Sequence, residues 1–319
     1  MDPRLASHIV GTRERLAGDR LTRATPSLQY NLDRDLFIGD NTPKSDPAIP
    51  LSICIAPLVS CNLRCGTCLS DSGPDGRPRP WPALFEVLEW MRPWAPVRLV
   101  WTGGEPTLYP GLIEAMRLAA SMGSHNVVCT NSAARDPCGE LAGEFFYSVS
   151  IYGIDRATFL RETQCDKFSR FVTIFEELFH RNHKVVASLR VDIKSQNRVP
   201  EYLNWLAAYP IRKVTILNTR LQGRLTCDSA PLNAHQLEHL RRQVEALSLP
   251  FPTVFPSTPS NHDSRGGLLV IERPPDLFGS IVVNGKLCSS LEEAGPIVRG
   301  ALQSNGILFG AENYVWGTR

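Results

Sequence analysis

The sequence has no long hydrophobic segment. Apolar residues make up 43% of its 319 positions, which is enough for one sizeable core. No apolar run approaches the roughly 20 residues that a membrane-spanning helix needs. The start of the chain, MDPRLASHIVGTRERLAGDR, also lacks the apolar centre of a secretory signal peptide. We therefore expect a cytoplasmic protein with no membrane partner.

Concentrated charge of one sign is also missing. The 34 Lys and Arg residues nearly balance the 32 Asp and Glu residues, and the net charge is +2. Acidic and basic residues are interleaved along the chain, without the basic block that is typical of polyanion-binding segments. The charge pattern therefore predicts no nucleic-acid partner.

The sequence gives no sign of a disulfide framework. It has nine cysteines but no secretory signal, and disulfides are rare in the reducing cytoplasm. Thiols that stay reduced are available to bind a metal.

Three of these cysteines share one short loop. The apolar run at residues 51–57 predicts a buried strand, and Cys61, Cys65 and Cys68 follow it in the sequence CNLRCGTC. Three thiolates from one loop can ligate three corners of an iron–sulfur cluster and leave the fourth iron open. Structural zinc instead takes four ligands, and no second pair with zinc-finger spacing follows. A zinc-binding module without catalytic activity remains the alternative.

The next predicted strand ends in a pair of glycines and a carboxylate. Residues 97–106 read VRLVWTGGEP, with Gly103, Gly104 and Glu105 at the strand end. Paired glycines let a ligand approach the backbone closely, and a neighbouring carboxylate suits an ammonium group. Gly-Gly-Glu alone is compatible with a plain turn. Its position one strand after the cysteine loop favours a ligand site.

With these two motifs the sequence resembles the radical S-adenosylmethionine (radical SAM) enzymes. CNLRCGTC is similar to their cluster loop and WTGGEPTLYP to their methionine-binding strand end, and the resemblance covers about residues 50–220. It implies that Cys61, Cys65 and Cys68 ligate a [4Fe–4S] cluster whose fourth iron binds SAM. It also implies reductive cleavage of SAM to a 5′-deoxyadenosyl radical, hydrogen abstraction from the substrate, and an electron donor such as flavodoxin or ferredoxin.

The chain alternates between strand and helix patterns from residue 51. Strands are predicted at 51–57, 97–102, 125–130, 145–152, 184–192 and 211–217. Helices are predicted at 81–91, 110–121, 136–143, 155–180, 199–208 and 233–247. This alternation predicts right-handed βαβ units and a parallel sheet. Six units indicate a partial (β/α)6 barrel, which is also the fold that the resemblance implies.

Two regions are expected outside the barrel at 51–247. Residues 1–50 form an N-terminal extension, with a weak helical pattern and then an irregular stretch, which either packs on the barrel or covers the substrate. Residues 248–319 form a C-terminal region that covers the barrel or substrate site and opens with a long loop rich in Pro, Ser and Thr. Strands follow in LLVIERPP and SIVVNGKLC, and the turn signal Asn284-Gly285 predicts a β-hairpin.

The resemblance also assigns residues at the strand ends to SAM: Gly103, Gly104, Glu105, Asn131, Ser150, Arg190 and Leu217. Gly103, Gly104 and Glu105 match the motif for the methionine amine. Ser150 contacts the ribose or is simply a serine in a half-buried strand. Arg190 binds the SAM carboxylate bidentately or forms an ion pair with Asp192 or a neighbour. Asn131 contacts SAM or substrate or caps a turn, and Leu217 lies where the family places the adenine.

Cysteines are scarce in the second half of the chain. Many radical SAM enzymes hold auxiliary clusters in a C-terminal domain with six or more cysteines, but only Cys227 and Cys288 follow residue 165 here. We expect no auxiliary cluster. A lone thiol near a radical can donate a hydrogen atom, so Cys227 or Cys288 would permit net epimerisation. The alternative for each is a small buried apolar residue.

Two substrate classes fit these observations. One is a small, hydroxyl-rich natural-product precursor that is epimerised or oxidised, and the other is a ribosomally made peptide. The missing auxiliary cysteines and the short N-terminal extension favour the small molecule.

Overall fold

The computed structural model describes most of the barrel and parts of both flanking regions. The described residues are 8–10, 21–25, 28–39, 52–76, 81–94, 96–136, 145–219, 224, 230–255, 269–272, 281–283, 286–288, 296 and 314–316. No helix within these ranges is long and apolar enough to cross a bilayer.

A parallel sheet that curls into a half-barrel carries the fold. The strands are β1 (His8–Val10), β2 (Leu21–Thr25), β3 (Leu28–Asn31), β4 (Leu36–Gly39), β5 (Ser52–Ile55), β6 (Arg98–Trp101), β7 (His125–Thr130), β8 (Phe146–Ser150), β9 (Lys184–Val191), β10 (Val214–Asn218), β11 (Thr253–Phe255), β12 (Leu269–Glu272), β13 (Ile281–Val283), β14 (Lys286–Cys288) and β15 (Tyr314–Trp316). From β5 to β11, each strand pairs in parallel with the next. The predicted partial α/β barrel is confirmed.

Helices on the outer face connect these strands. They are α1 (Trp81–Met91), α2 (Leu112–Ser121), α3 (Arg156–Thr163), α4 (Phe168–His180), α5 (Val199–Leu206) and α6 (Ala234–Glu245). On α4, Phe171, Phe175 and Leu178 are spaced at i, i+4 and i+7 and are all buried against the sheet. Most of the helix predicted at 136–143 lies outside the described residues.

The sheet continues on both sides of the half-barrel. On one side β11 pairs with β1 in antiparallel orientation. On the other side β12 adds to β5 in parallel and leads into the antiparallel pair β13 and β14, with Val283 opposite Lys286. This pair confirms the β-hairpin predicted in the C-terminal region.

Two expectations about secondary structure are wrong. The loop predicted from residue 248 contains β11, where Val254 and Phe255 are buried between β10 and β1. Three residues between prolines are too few to show an alternating pattern, so the sequence does not predict β11. The N-terminal extension has β1 in place of a helix, and its irregular stretch contains β2, β3 and β4, which form a second sheet with β15.

The turn between β3 and β4 closes the floor of the barrel, at the N-terminal ends of the parallel strands. The Asp35 carboxylate lies 2.7 Å from Nε of Arg98 at the start of β6 and 3.1 Å from Nζ of Lys213 just before β10. The Tyr30 hydroxyl donates a hydrogen bond of 2.8 Å to the same carboxylate. All four side chains are buried. The turn between β3 and β4 therefore packs on the end of the barrel opposite the cysteine loop.

Burial and charge act against each other in this cluster. Burial opposes ionisation of Asp35, but the Arg98 guanidinium and the Lys213 ammonium outweigh it and hold the Asp35 pKa below its usual value. Burial lowers the pKa of Lys213 to about 8 because the nearby carboxylate compensates only in part. The floor is therefore a buried ionic cluster in which one carboxylate pairs with two cations.

Candidate active site

The cysteine loop runs from the end of β5 to residue 76. Cys61 and Cys65 are buried, and Cys68 is half-buried. The loop folds back on itself, because the Cys61 N–H donates to the carbonyl of Gly73 at 2.9 Å. All three cysteines therefore lie at the carboxyl end of a parallel strand, where ligands bind in α/β sheets.

The end of α3 fixes the middle of the same loop. The Arg64 N–H donates to the Thr163 carbonyl at 3.1 Å, and the Gly66 N–H donates to the Glu162 carbonyl at 3.2 Å. These are terminal carbonyls that a helix leaves without intrahelical partners. The loop thus satisfies the helix end while the helix holds the loop.

The glycine pair lets the end of β6 lie directly against the cysteine loop. The Gly104 N–H donates to the Leu58 carbonyl at 3.0 Å, and the Glu105 N–H donates to the Ser60 carbonyl at 2.9 Å. Gly103 has a φ of +110°, and a Cβ on Gly104 would overlap the Ser60 carbonyl. The sequence predicts glycines here for the approach of a ligand. In the structure the close neighbour is the backbone of the cysteine loop.

The carboxylate of Glu105 is held entirely by protein groups in the described region. Its Oε1 accepts from the Thr107 hydroxyl at 2.6 Å and the Thr130 hydroxyl at 2.8 Å, and its Oε2 accepts from the Asn131 N–H at 2.7 Å. Burial raises the pKa of Glu105, although these hydrogen bonds oppose the shift. Glu105 therefore joins the ends of β6 and β7, a role that the motif does not predict. Its contact with SAM stays a prediction.

Asn131 joins the end of β7 to the cysteine loop. Its Nδ2 donates to Asn62 Oδ1 at 2.8 Å and lies 3.6 Å from the Cys61 sulfur. Its Oδ1 accepts from the Ala133 N–H at 2.8 Å, and the Asn62 side chain donates to the Ala133 carbonyl. The side chain of Asn131, predicted to contact SAM or substrate, is thus hydrogen-bonded to the cysteine loop.

Ser150 and Leu217 lie at the same end of the sheet, on β8 and β10, which both pair with β9. Ser150 is paired with Ser188 across β8 and β9, with their hydroxyls 3.5 Å apart, and Ser188 is paired with Thr215 of β10. Leu217 is paired with Arg190 one step closer to the carboxyl ends. The sheet therefore presents a row of hydroxyls, with Arg190 and Leu217 beyond it.

Arg190 has partners within the protein. Its guanidinium donates to the Thr219 hydroxyl at 3.2 Å and lies 3.4 Å from a carboxylate oxygen of Glu162. The Asp192 carboxylate is 3.7 Å away, so the ion pair considered from the sequence is present but long. These contacts are long, and the Arg190 side chain is 22% exposed. Its contact with the SAM carboxylate stays a prediction.

A sequence model of the Radical SAM superfamily matches residues 55–203. This segment contains the cysteine loop, the glycine pair and the strands that hold them. The resemblance to this superfamily that the two motifs predict is confirmed for this segment. A search of curated protein sequences finds no match.

Solved structures of radical SAM proteins share the fold. Streptococcus suis SuiB bound to S-adenosylmethionine is similar over 82% of this chain and 67% of that chain, with a TM-score of 0.60 and 13% identity. SuiB bound to precursor peptide SuiA is similar over 65% of this chain and 49% of that chain, with a TM-score of 0.55 and 16% identity. In that structure and in a further SuiB structure, the match spans about half of the SuiB chain.

Two of the loop cysteines have the hydrogen-bond donors that cluster thiolates need. The Leu63 N–H points to the Cys61 sulfur at 3.4 Å, and the Ser72 N–H points to the Cys68 sulfur at 3.3 Å. Hydrogen bonds to sulfur stabilise the negative charge of cluster ligands and tune the reduction potential. The residues present therefore fit a [4Fe–4S] cluster.

Burial keeps two of the thiols protonated in the absence of metal. Burial, with smaller contributions from neighbouring loop thiols, raises the pKa of Cys61 to about 11 and that of Cys65 to about 12. A hydrogen bond from the Tyr152 hydroxyl partly offsets the shift at Cys65. Thiol protons must therefore leave when metal binds.

A single metal ion fits the described residues less well than a cluster. No three His, Cys, Asp or Glu side chains in the described part of the chain converge closely enough to hold one ion. Zinc requires its sulfur ligands about 2.3 Å from one point. A four-iron cluster spreads its ligands over separate corners, which suits the three loop cysteines.

The two proposed hydrogen donors cannot be placed in the site. Cys227 lies outside the described residues. The backbone of Cys288 lies in β14 opposite Ile281, but its side chain is outside the described part. Both assignments stay predictions.

Arg224 contacts the cysteine loop, and the sequence motifs give no sign of it. Its N–H donates to the Cys68 carbonyl at 2.9 Å, and its guanidinium donates to the Cys65 carbonyl at 3.1 Å. The guanidinium also donates to the Ser72 carbonyl and lies 2.5 Å from the Asp71 carboxylate. Arg224 follows β10 and lies 153 residues after Asp71 of the loop, and a contact at such separation leaves no local pattern in the sequence.

Proposed function

We propose that this protein is a radical SAM enzyme that cleaves SAM reductively and abstracts a hydrogen atom from its substrate. The observation that carries the proposal is a pair of backbone hydrogen bonds between the cysteine loop and the end of β6. The Gly104 N–H donates to the Leu58 carbonyl, and the Glu105 N–H donates to the Ser60 carbonyl. A cluster on the loop and a methionine group at the strand end would be neighbours in this arrangement. When bound, the reduced cluster supplies the electron that breaks the sulfonium bond of SAM.

The protein would supply binding, orientation and exclusion of water. Cys61, Cys65 and Cys68 would hold three irons. Backbone groups near Gly103 and Gly104 would receive the methionine amine. Arg190, with its long ion pairs, would exchange protein partners for the SAM carboxylate.

Anaerobic reconstitution tests this proposal. Loaded protein that is reduced with dithionite and given SAM should release 5′-deoxyadenosine, and Cys65→Ala should release none. Cys165→Ala is the control, because Cys165 is a half-buried thiol outside the loop. Activity retained in Cys65→Ala would contradict the proposal. Zinc at one ion per chain, without iron or sulfide, would favour the non-catalytic zinc-binding module.

For the substrate, we propose a small hydroxyl-rich natural-product precursor that is epimerised or oxidised. The hydroxyls of Ser188 and Thr215, on the two strands beyond Ser150, support it, because hydroxyls can both donate to and accept from substrate hydroxyls. In an epimerisation, the thiol of Cys227 or Cys288 would donate its solvent-exchangeable hydrogen atom to the substrate radical. One electron from the flavodoxin or ferredoxin donor and one proton from solvent would then restore the thiol. Product formed in D2O should then carry deuterium, whereas an oxidation would leave it unlabelled.

A ribosomally made peptide is the second candidate. The similarity in fold to SuiB supports this candidate, because SuiB has been solved with precursor peptide SuiA bound. A short precursor peptide encoded beside the gene would be the probe. Stimulation of 5′-deoxyadenosine release by that peptide, but not by sugars or nucleosides, would select this candidate. Flavodoxin or ferredoxin should replace dithionite as electron donor in either case.

A further inference from the structure

Arg224 and Asp71 form a charged pair against the cysteine loop. The Arg224 guanidinium lies 2.5 Å from the Asp71 carboxylate, and Arg224 is the more enclosed partner, with 25% of its side chain exposed against 69% for Asp71. The same guanidinium donates to the backbone carbonyls of Cys65 and Ser72. One cation is thus bound to both ends of the segment that carries Cys65 and Cys68.

We propose that Arg224 is a positioning residue that raises the reduction potential of the cluster. The negative charge of Asp71 partly offsets this effect. This inference rests on the proposed function. A one-electron donor of the flavodoxin or ferredoxin class adds negative charge to an already anionic site. A nearby cation favours that addition, and net charge is a main determinant of iron–sulfur potentials.

Arg224 also acts through a hydrogen bond to sulfur. By holding the Ser72 carbonyl, it fixes the peptide whose N–H points to the Cys68 sulfur at 3.3 Å. N–H donors to cluster sulfur stabilise the reduced state. Loss of the guanidinium would remove the charge and loosen this donor, and both effects make reduction harder.

The test is a redox titration of the reconstituted holoprotein, followed by the electron paramagnetic resonance signal of the reduced cluster. Arg224→Gln should have a more negative midpoint than wild type, while Arg224→Lys keeps the charge and should lie between them. Asp71→Asn should shift the midpoint in the opposite, positive direction, and by less because Asp71 is exposed. Arg241→Gln is the matched control, since Arg241 is 24% exposed and pairs with Glu238 within α6.

The opposite signs separate this proposal from a purely structural role. If Arg224 and Asp71 only hold the loop in place, Arg224→Gln and Asp71→Asn should shift the midpoint potential in the same direction or not at all. Either result overturns the inference. If Arg224→Gln loses its iron, Arg224→Lys and Asp71→Asn still decide the sign. Wild-type protein that binds no cluster would overturn the proposed function instead.

Discussion

The Asn131 N–H donates a hydrogen bond of 2.7 Å to the carboxylate of Glu105, which ties the end of β7 to the end of β6. The carboxylate is 1% exposed and also accepts from Thr107 and Thr130. Glu105→Gln replaces one acceptor oxygen by an NH2 group that faces a donor. We expect the free energy of unfolding to fall by about 1–3 kcal/mol.

Chemical denaturation of the apoprotein measures this effect without the cluster. The control is Glu114→Gln, because Glu114 is an exposed residue on α2 and its substitution should leave stability nearly unchanged. Equal stability of Glu105→Gln and wild type would show that the carboxylate does not organise the strand ends.

Substitution of Gly104 should displace the cysteine loop. A Cβ at this position overlaps the carbonyl of Ser60, so Gly104→Ala must push the loop away from β6. We expect a loss of most cluster iron after reconstitution. Gly73→Ala is the matched control within the same loop, because its added Cβ meets no atom within 4 Å. Iron content per chain is the measurement, and full loading of Gly104→Ala would refute the required close approach.

The floor of the barrel should depend strongly on Asp35. Asp35→Asn leaves Arg98 and Lys213 buried without the carboxylate that pairs with both. Removal of one partner from a buried ion pair costs about 3–5 kcal/mol, which we expect as the loss in free energy of unfolding. Asp166→Asn is the control, because Asp166 pairs with Arg156 on the exposed surface and should give no measurable change. A mild effect at Asp35 would mean that water reaches the cluster.

Lys213 should make stability depend on alkaline pH. Its pKa is lowered by burial to about 8, from 10.5 as the reference value. Between these values the unfolded chain binds a proton that the folded protein has released, so the free energy of unfolding gains a contribution that rises with pH. Lys213→Met should lack this contribution. Urea unfolding of both proteins from about pH 7 to pH 10 measures the difference. Parallel curves would show that Lys213 titrates normally.

The half-barrel was predictable because each of its core strands is a buried apolar run followed by a helix of sufficient length. The strands β6, β7 and β9 differ from their predicted bounds by at most one residue at each end. β11 was not predictable, because it is a three-residue strand buried only through β1 and β10 on either side. The short strands of the extension were not predictable for a similar reason. Their sheet includes β15, which pairs with β4 and lies near the other end of the sequence.

For the site, the sequence motifs predict the candidate residues but not the atoms that they contact. The position of Glu105 at a strand end followed from the motif. Its bonds to Thr130 and Asn131 could not, because they depend on how two parallel strands are staggered. Arg224 had no local signature at all, and only the folded chain brings it to the loop.

The ionic floor also bears on how the chain folds. Asp35 and Lys213 are separated by 178 residues. During synthesis the carboxylate emerges long before the second of its cations, so the floor is completed only after β10 has left the ribosome. Such distant closure slows folding. The hairpin of β3 and β4 should therefore dock late, with the docking of Tyr30 beneath the barrel among the last steps to native structure.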